Sequence, residues 1–333
     1  MKSHTSRFMR RLYVSDLDGT LLDPGGRISD VSLGILTELL ADGMPFTVAS
    51  ARSVVTMREV LRGLPVALPI VEVNGAFISE LASGRHLHCE AIERHFVEDV
   101  LVVGRKHGMS PVVATFDGRA DHAYFLPPGN EGLAGYVAGR KAAGDRRLRQ
   151  VDSLTPALDE QTVCLTFMDR RENLEPVFAE LRRRFEGTLR LMVFPEQYFP
   201  PWHWLTVHAG RATKAHAIQV LARDLDVTLD DVTVFGDQVN DIPMFEECGH
   251  AVAVANSVPE LLAHADEVIG HHDTDSVAHY LQHVWRRRGV CGENRYECAM
   301  QTNRRSDVAF RQLTDAEESA GYGAEVVLMR RAI

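Results

Sequence analysis

One short run limits the folds open to this chain more than any other: Asp16-Leu17-Asp18-Gly19-Thr20, directly after the β-prone Leu12-Tyr13-Val14-Ser15. Residues two apart on an extended strand point to the same side, so the carboxylates of Asp16 and Asp18 can face one point. Carboxylates held that close repel and shift each other's pKa values unless a cation stands between them. Gly19 permits a sharp exit from the strand. Taken alone, the run is also compatible with a turn whose aspartates are solvated caps. A second acidic strand end narrows the choice. Gly236-Asp237-Gln238-Val239-Asn240-Asp241 follows the apolar Val232-Thr233-Val234-Phe235 and opens a helix, with Asp237 and Asp241 near one edge of its start. Two such ends in one parallel sheet would make a Mg²⁺ site, since this ion takes few carboxylates and keeps waters for phosphate oxygens.

The intervening pattern supplies that sheet. Ser29 reads as an N-cap, with Val31, Ile35, Leu36, Leu39 and Leu40 at helical spacing and Gly43 beyond the end. Phe46 to Ser50 and Pro69 to Val73 read as further strands, separated by a helix through Val54, Met57, Val60 and Leu61. Strands alternating with helices give βαβ units and an α/β fold with a parallel sheet. From about Ser79 the rhythm changes. Residues 80–205 mix helices (Ile92 to His107, Leu174 to Phe185) with β-prone runs such as Thr162 to Phe167, and read as an α+β unit inserted into the first domain. Within it, Pro127 to Arg149 reads as loop or weak helix. The βα rhythm resumes with a helix over Ala212 to Leu225 and continues to about residue 285. The domain expectation is therefore a discontinuous core, 11–79 with 206–285, an insertion over 80–205, and a polar tail over 286–333 that is peripheral or disordered.

Composition excludes several function classes. A length of 333 residues corresponds to about two domains, and 45% apolar residues are enough for a core without disulfides or a structural metal. The 36 basic and 46 acidic residues leave a net charge of −10, which disfavours a general role on nucleic acid or anionic membrane. No run approaches the ~18 apolar residues of a membrane helix, and the basic start, Met1 to Arg11, lacks the apolar stretch of a secretory signal. The five scattered cysteines read as idle thiols of a reducing compartment, so the expected location is cytoplasmic.

Two further positions complete the site. Lys214 is one of four lysines (with Lys2, Lys106 and Lys141) against 32 arginines, and it opens the helix that returns the chain to the main sheet. A compact ammonium differs from a guanidinium in reach and geometry, so Lys214 is a candidate for a specific partner, although a solvated surface lysine fits the same position. Ser50, ending its strand in Val48-Ala49-Ser50-Ala51-Arg52, offers a hydroxyl followed by backbone N–H groups, a natural phosphate cradle as well as an ordinary N-cap.

In this order the four motifs resemble those of the haloacid dehalogenase superfamily, in particular its Cof-type phosphatases with an inserted C2B cap, over about residues 11–285. The resemblance implies a Rossmann-like, three-layer α/β/α core beneath the cap. It implies Asp16 as nucleophile, Asp18 as general acid/base, and Ser50, Ala51, Lys214 and Asn240 as phosphate-binding. It further implies Mg²⁺ held by Asp16, Asp18 and Asp237, with Asp241 orienting the metal's surroundings. Asn74-Gly75-Ala76 matches a further family signature, and Arg52 and Asn74 are expected near the substrate. Ser-Ala-Arg stands where Thr-Gly-Arg is common in the second motif.

The function implied is Mg²⁺-dependent hydrolysis of a small phosphorylated metabolite through an aspartyl-phosphate, a sugar phosphate being the leading guess, by a monomer or homodimer. Asp18 favours a phosphatase or phosphomutase over a dehalogenase or ion pump. A phosphomutase of the phosphomannomutase type and a non-catalytic binding protein on the same fold are the alternatives. The cluster Phe194, Tyr198, Phe199, Trp202, His203 and Trp204 reads as domain-junction core rather than as a stacking surface.

Overall fold

The computed structural model describes residues 11–196 and 200–290. The basic N-terminal stretch, Tyr198, Phe199, and the tail after residue 290 lie outside the described residues. The chain opens with β1 (Leu12–Ser15), α1 (Asp30–Ala41), β2 (Phe46–Val48), α2 (Val54–Val60) and β3 (Ile70–Glu72). It continues through β4 (Phe77–Ser79), β5 (His86–Cys89), α3 (Arg94–Lys106), β6 (Val112–Phe116), β7 (Asp121–Phe125), α4 (Glu131–Ala142) and β8 (Leu148–Gln150). Next come β9 (Gln161–Arg170), α5 (Arg171–Phe185), β10 (Leu189–Pro195), β11 (Trp202–Ala209), α6 (Lys214–Asp224) and β12 (Val232–Gly236). The last elements are α7 (Ile242–Glu247), β13 (His250–Val254), α8 (Pro259–Leu262), β14 (Glu267–Ile269) and α9 (Ser276–Val290), so a helix runs past residue 285.

A parallel five-stranded sheet of order β14-β13-β12-β1-β2 is the centre of the fold. Its strands are buried runs, as a sheet covered on both faces requires. α6 packs on it through Ala215, Ile218 and Leu221, which meet Val14, Val234 and Ala251 in one apolar cluster. A parallel bridge from Ala49 to Val71 carries the sheet towards β3, which pairs antiparallel with β4, and β4 with β5.

The segment between β5 and α6 builds a six-stranded sheet of order β10-β11-β9-β6-β7-β8, antiparallel except for the parallel β7–β8 pair. α3 and α5 cover one face of it, with Val97, Val100, Leu174 and Leu181 against Leu165, Phe167 and Leu205. The stretch read as loop or weak helix holds α4, capped by Asn130, whose side chain accepts from Leu133 N–H at 2.8 Å. Trp204 is buried, donating to Glu196 at 2.7 Å and meeting Tyr136 edge-on at 4.8 Å, while Phe194 is exposed. Among the described residues no helix is long and apolar enough to cross a membrane.

Candidate active site

β1 and β12 lie side by side with Ser15 opposite Phe235, and Asp16 N–H donates to Phe235 O at 2.9 Å. Both acidic runs therefore leave the sheet at neighbouring strand ends. There the chain order reverses, with β2 on one side of β1 and β12 on the other, which is where open α/β sheets form a ligand crevice. Gly19 takes φ +76° in the turn after β1, and a side chain there would collide with the Asp237 carboxylate. Close approach of the two runs thus depends on that glycine.

The third contributor comes from α6. Lys214 is 2% exposed, and its Nζ donates to Asp16 Oδ1 and to Asp241 Oδ1, both at 2.6 Å. Asp241 Oδ2 accepts the backbone N–H groups of Asp237 and Gln238 at 3.1 Å each, so this carboxylate both closes its own turn and fixes the ammonium. Thr20 Oγ1 donates to Asp237 Oδ1 at 3.1 Å. Asp16, Asp237 and Asp241 place carboxylate oxygens within 4.8 Å of one another, a group that could hold a metal ion.

Electrostatics sharpen this picture. Burial first, then Asp241 and Asp237, push the Asp16 carboxyl well above the usual carboxylate range, against the opposing pull of Lys214. Burial and Asp241 likewise push Asp237 up to about 6. Burial alone would lower Lys214, but Asp16 and Asp241 outweigh it and hold the ammonium charged beyond its ordinary range. The site gathers more negative charge than its lysine offsets.

Asp18 stands apart from this group. Its side chain is half exposed and accepts from Arg52 in a two-pronged pair, Nε to Oδ2 and Nη2 to Oδ1, each at 2.7 Å. Ser50 is buried, and its Oγ accepts the N–H of Arg52 at 3.2 Å, which turns the chain after β2; Ala51 is exposed at that turn. Asn74, at φ +56°, accepts from Asn240 Nδ2 at 3.2 Å, joining the turn after β3 to the turn after β12. Gly75 follows at φ +96°, and a Cβ there would run into the backbone of Thr213.

Sequence reading missed four contributors. Thr213 caps α6 by accepting His216 N–H at 3.0 Å, directly before Lys214. Thr20 holds Asp237, and Asn256 donates to Gly19 O at 2.8 Å, bracing the first turn. The pairing of Arg52 with Asp18 is the fourth. Of these, Thr213 carried a signal in the sequence as an N-cap residue type at a helix start, Thr20 stood within the Asp16–Thr20 run, and Arg52 was expected near the substrate, though not on Asp18.

Comparison with known proteins fits this geometry. Residues 13–281 match the family model described as haloacid dehalogenase-like hydrolase. A protein of Serratia proteamaculans named HMP-PP phosphatase is 29% identical over 277 residues, covering 83% of this chain and 95% of that protein. Its namesake from Yersinia enterocolitica is 28% identical with the same coverage, 83% and 95%. Among solved structures, a haloacid dehalogenase-like hydrolase from Bacteroides thetaiotaomicron superposes with TM-score 0.66 at 22% identity, over 82% of this chain and 99% of that one. A Thermotoga maritima protein does so with TM-score 0.66 at 23% identity, over 83% and 97%. The fold is theirs, and a metal-dependent mechanism goes with the family and its acidic group. This chain belongs to the haloacid dehalogenase-like hydrolases and is a phosphatase among them.

Proposed function

We propose that the chain is a Mg²⁺-dependent phosphatase that hydrolyses small phosphate monoesters through a phosphorylated Asp16. The observation that carries this reading is the buried trio Asp16, Asp237 and Asp241 around Lys214. Three carboxylates and one ammonium leave two negative charges among oxygen donors, which suits a hard divalent cation. Asp16 and Asp237 would hold the ion, near the turn that carries Asp18; when bound, it would neutralise phosphoryl oxygens and favour ionised Asp16.

Asp16 attacks phosphorus in line and takes the phosphoryl group. Asp18 gives a proton to the leaving oxygen, then removes one from the water that opens the acyl-phosphate. For either transfer Asp18 has to loosen its pair with Arg52, which frees the guanidinium for an anionic part of the substrate. Lys214, the Ser50 hydroxyl and the Ala51 N–H hold the remaining phosphoryl oxygens, with Asn240 and Asn74 beside them. Asp241 keeps Lys214 aimed. Residues 80–205 act as the cap over a core of 11–79 and 206–285, and the protein works in the cytoplasm as a monomer or homodimer.

The names of the similar proteins make HMP-PP the first ester to test, with hexose phosphates next. Phosphate release is to be measured over HMP-PP, hexose phosphates, nucleotides and p-nitrophenyl phosphate, in Mg²⁺ and in EDTA. Release that requires Mg²⁺ is expected. An isomeric sugar phosphate in place of free phosphate would make the protein a mutase, and no turnover of any ester would make it a binding protein.

A further inference from the structure

We propose that His88, Glu90 and His216 form a second metal site, separate from the catalytic group and suited to a borderline transition ion such as Zn²⁺. His88 and Glu90 are two apart where β5 runs out, so their side chains share a face. His216 comes from the first turn of α6. His88 Nε2 lies 3.1 Å and His216 Nε2 3.2 Å from the same oxygen, Glu90 Oε1. The three ligand atoms lie within 4.8 Å of one another. Bonds of about 2.0–2.2 Å to a tetrahedral ion set neighbouring ligand atoms roughly 3.3 Å apart, so the trio needs only small adjustments. All three side chains are partly exposed, which gives an ion access from solvent.

Hydrogen bonding alone does not satisfy this cluster. Arg211 Nη2 lies 2.9 Å from His216 Nε2. A guanidinium carries only donors, so a hydrogen bond from it needs the lone pair of that nitrogen. An ionised carboxylate is an acceptor only. One ring nitrogen cannot both accept from Arg211 and donate to Glu90 Oε1, 3.2 Å away, so in either tautomer one of its two contacts goes unsatisfied. A hydrogen bond from His88 to Glu90 accounts for that contact and does not relieve His216. A metal ion makes both lone pairs ligands. Arg211, with Nε 3.9 Å from Glu90 and its side chain 72% exposed, supplies positive charge there and can swing into solvent when an ion arrives. Two imidazoles and one carboxylate favour a Zn²⁺-like ion over Mg²⁺, which prefers oxygen. The ion would tie β5, near the start of the inserted segment, to the helix that begins with Lys214.

The full-length protein is to be titrated with Co²⁺ under saturating Mg²⁺, following the visible d–d bands of four-coordinate Co²⁺, and with Zn²⁺ by calorimetry. One equivalent is expected to bind beyond the Mg²⁺ site. Glu90→Gln, which keeps the shape of the side chain, should weaken that binding at least tenfold, as should His216→Ala. Arg211→Ala should tighten it. Mg²⁺-dependent phosphate release by Glu90→Gln, without added Co²⁺ or Zn²⁺, should match the unaltered protein. Absence of Co²⁺ binding under saturating Mg²⁺ overturns the proposal, as does equal affinity in the unaltered protein, Glu90→Gln and His216→Ala.

Discussion

Lys214 is the side chain on which the others depend. Its ammonium is buried between Asp16 and Asp241 at 2.6 Å from each, so Lys214→Met would leave two buried carboxylates facing each other without a counter-charge. Removing one partner of such a pair costs about 3–5 kcal/mol, and the urea midpoint of Lys214→Met should fall accordingly. Asp16→Asn acts the other way. It removes one of the mutually repelling carboxylates while keeping the shape, so its unfolding midpoint should stay close to that of the unaltered protein. Its phosphate release should fall roughly 10³-fold or more, because the nucleophile is gone. Asp16→Asn with substantial turnover would remove Asp16 from that role. Asp18→Asn should slow turnover by about 10²–10⁴-fold, the usual share of a general acid/base. The proton-transfer role fails if single-turnover phosphorylation and dephosphorylation both keep their rates in that variant.

Elements place these side chains, and there the chain relies on positions that look minor in the sequence. Gly75 sits at φ +96° with Thr213 backbone where its Cβ would be, and Thr213 caps the helix that begins with Lys214. Gly75→Ala should therefore destabilise by more than about 1 kcal/mol and lower kcat as well, by displacing the start of α6. Thr213→Ala should cost about 1 kcal/mol as a lost cap. Thermal unfolding and steady-state kinetics on both variants check the pair, and normal stability in Gly75→Ala would mean that the loop yields freely. What was legible follows the same logic. α1 could be read because burial of one face imposes a helical period, β1, β2 and β12 because burial on both faces makes them near-continuous apolar runs, and Lys214 because a lysine is rare in this chain. α4 was hard to read because Gly132, Gly135 and Gly139 lower its intrinsic propensity. It forms through its cap and through Leu133 and Val137 packed beside Phe125. Thr20 on Asp237 and Asn256 on Gly19 were not legible at all, since those contacts join residues 217 and 237 positions apart.

At the scale of the whole molecule, the join between the three-stranded and six-stranded sheets is electrostatic as well as apolar. His86 of β5 is buried there, with Nδ1 2.6 Å from Ser79 Oγ and 3.2 Å from Glu72, and Nε2 2.9 Å from Asp121 of β7. Its ring stacks on Phe77 at 3.9 Å and meets Phe116 of β6 edge-on at 4.8 Å. Burial alone would lower the imidazolium, but Asp121 and Glu72 outweigh it and raise His86 from 6.5 to about 9. A group whose folded pKa lies above its unfolded one binds more protons when folded, so its stabilising effect is complete below the unfolded value. That effect disappears as pH rises through the folded value. Native stability should accordingly fall as pH climbs from near 6.5 to beyond 9, and His86→Gln should flatten the decline. Asp237, raised to about 6 in the metal-free protein, titrates mainly at the bottom of this range, and the comparison with His86→Gln cancels that shared part. Urea midpoints across the range for both proteins decide the matter: parallel curves would show that His86 does not carry its proton in the junction.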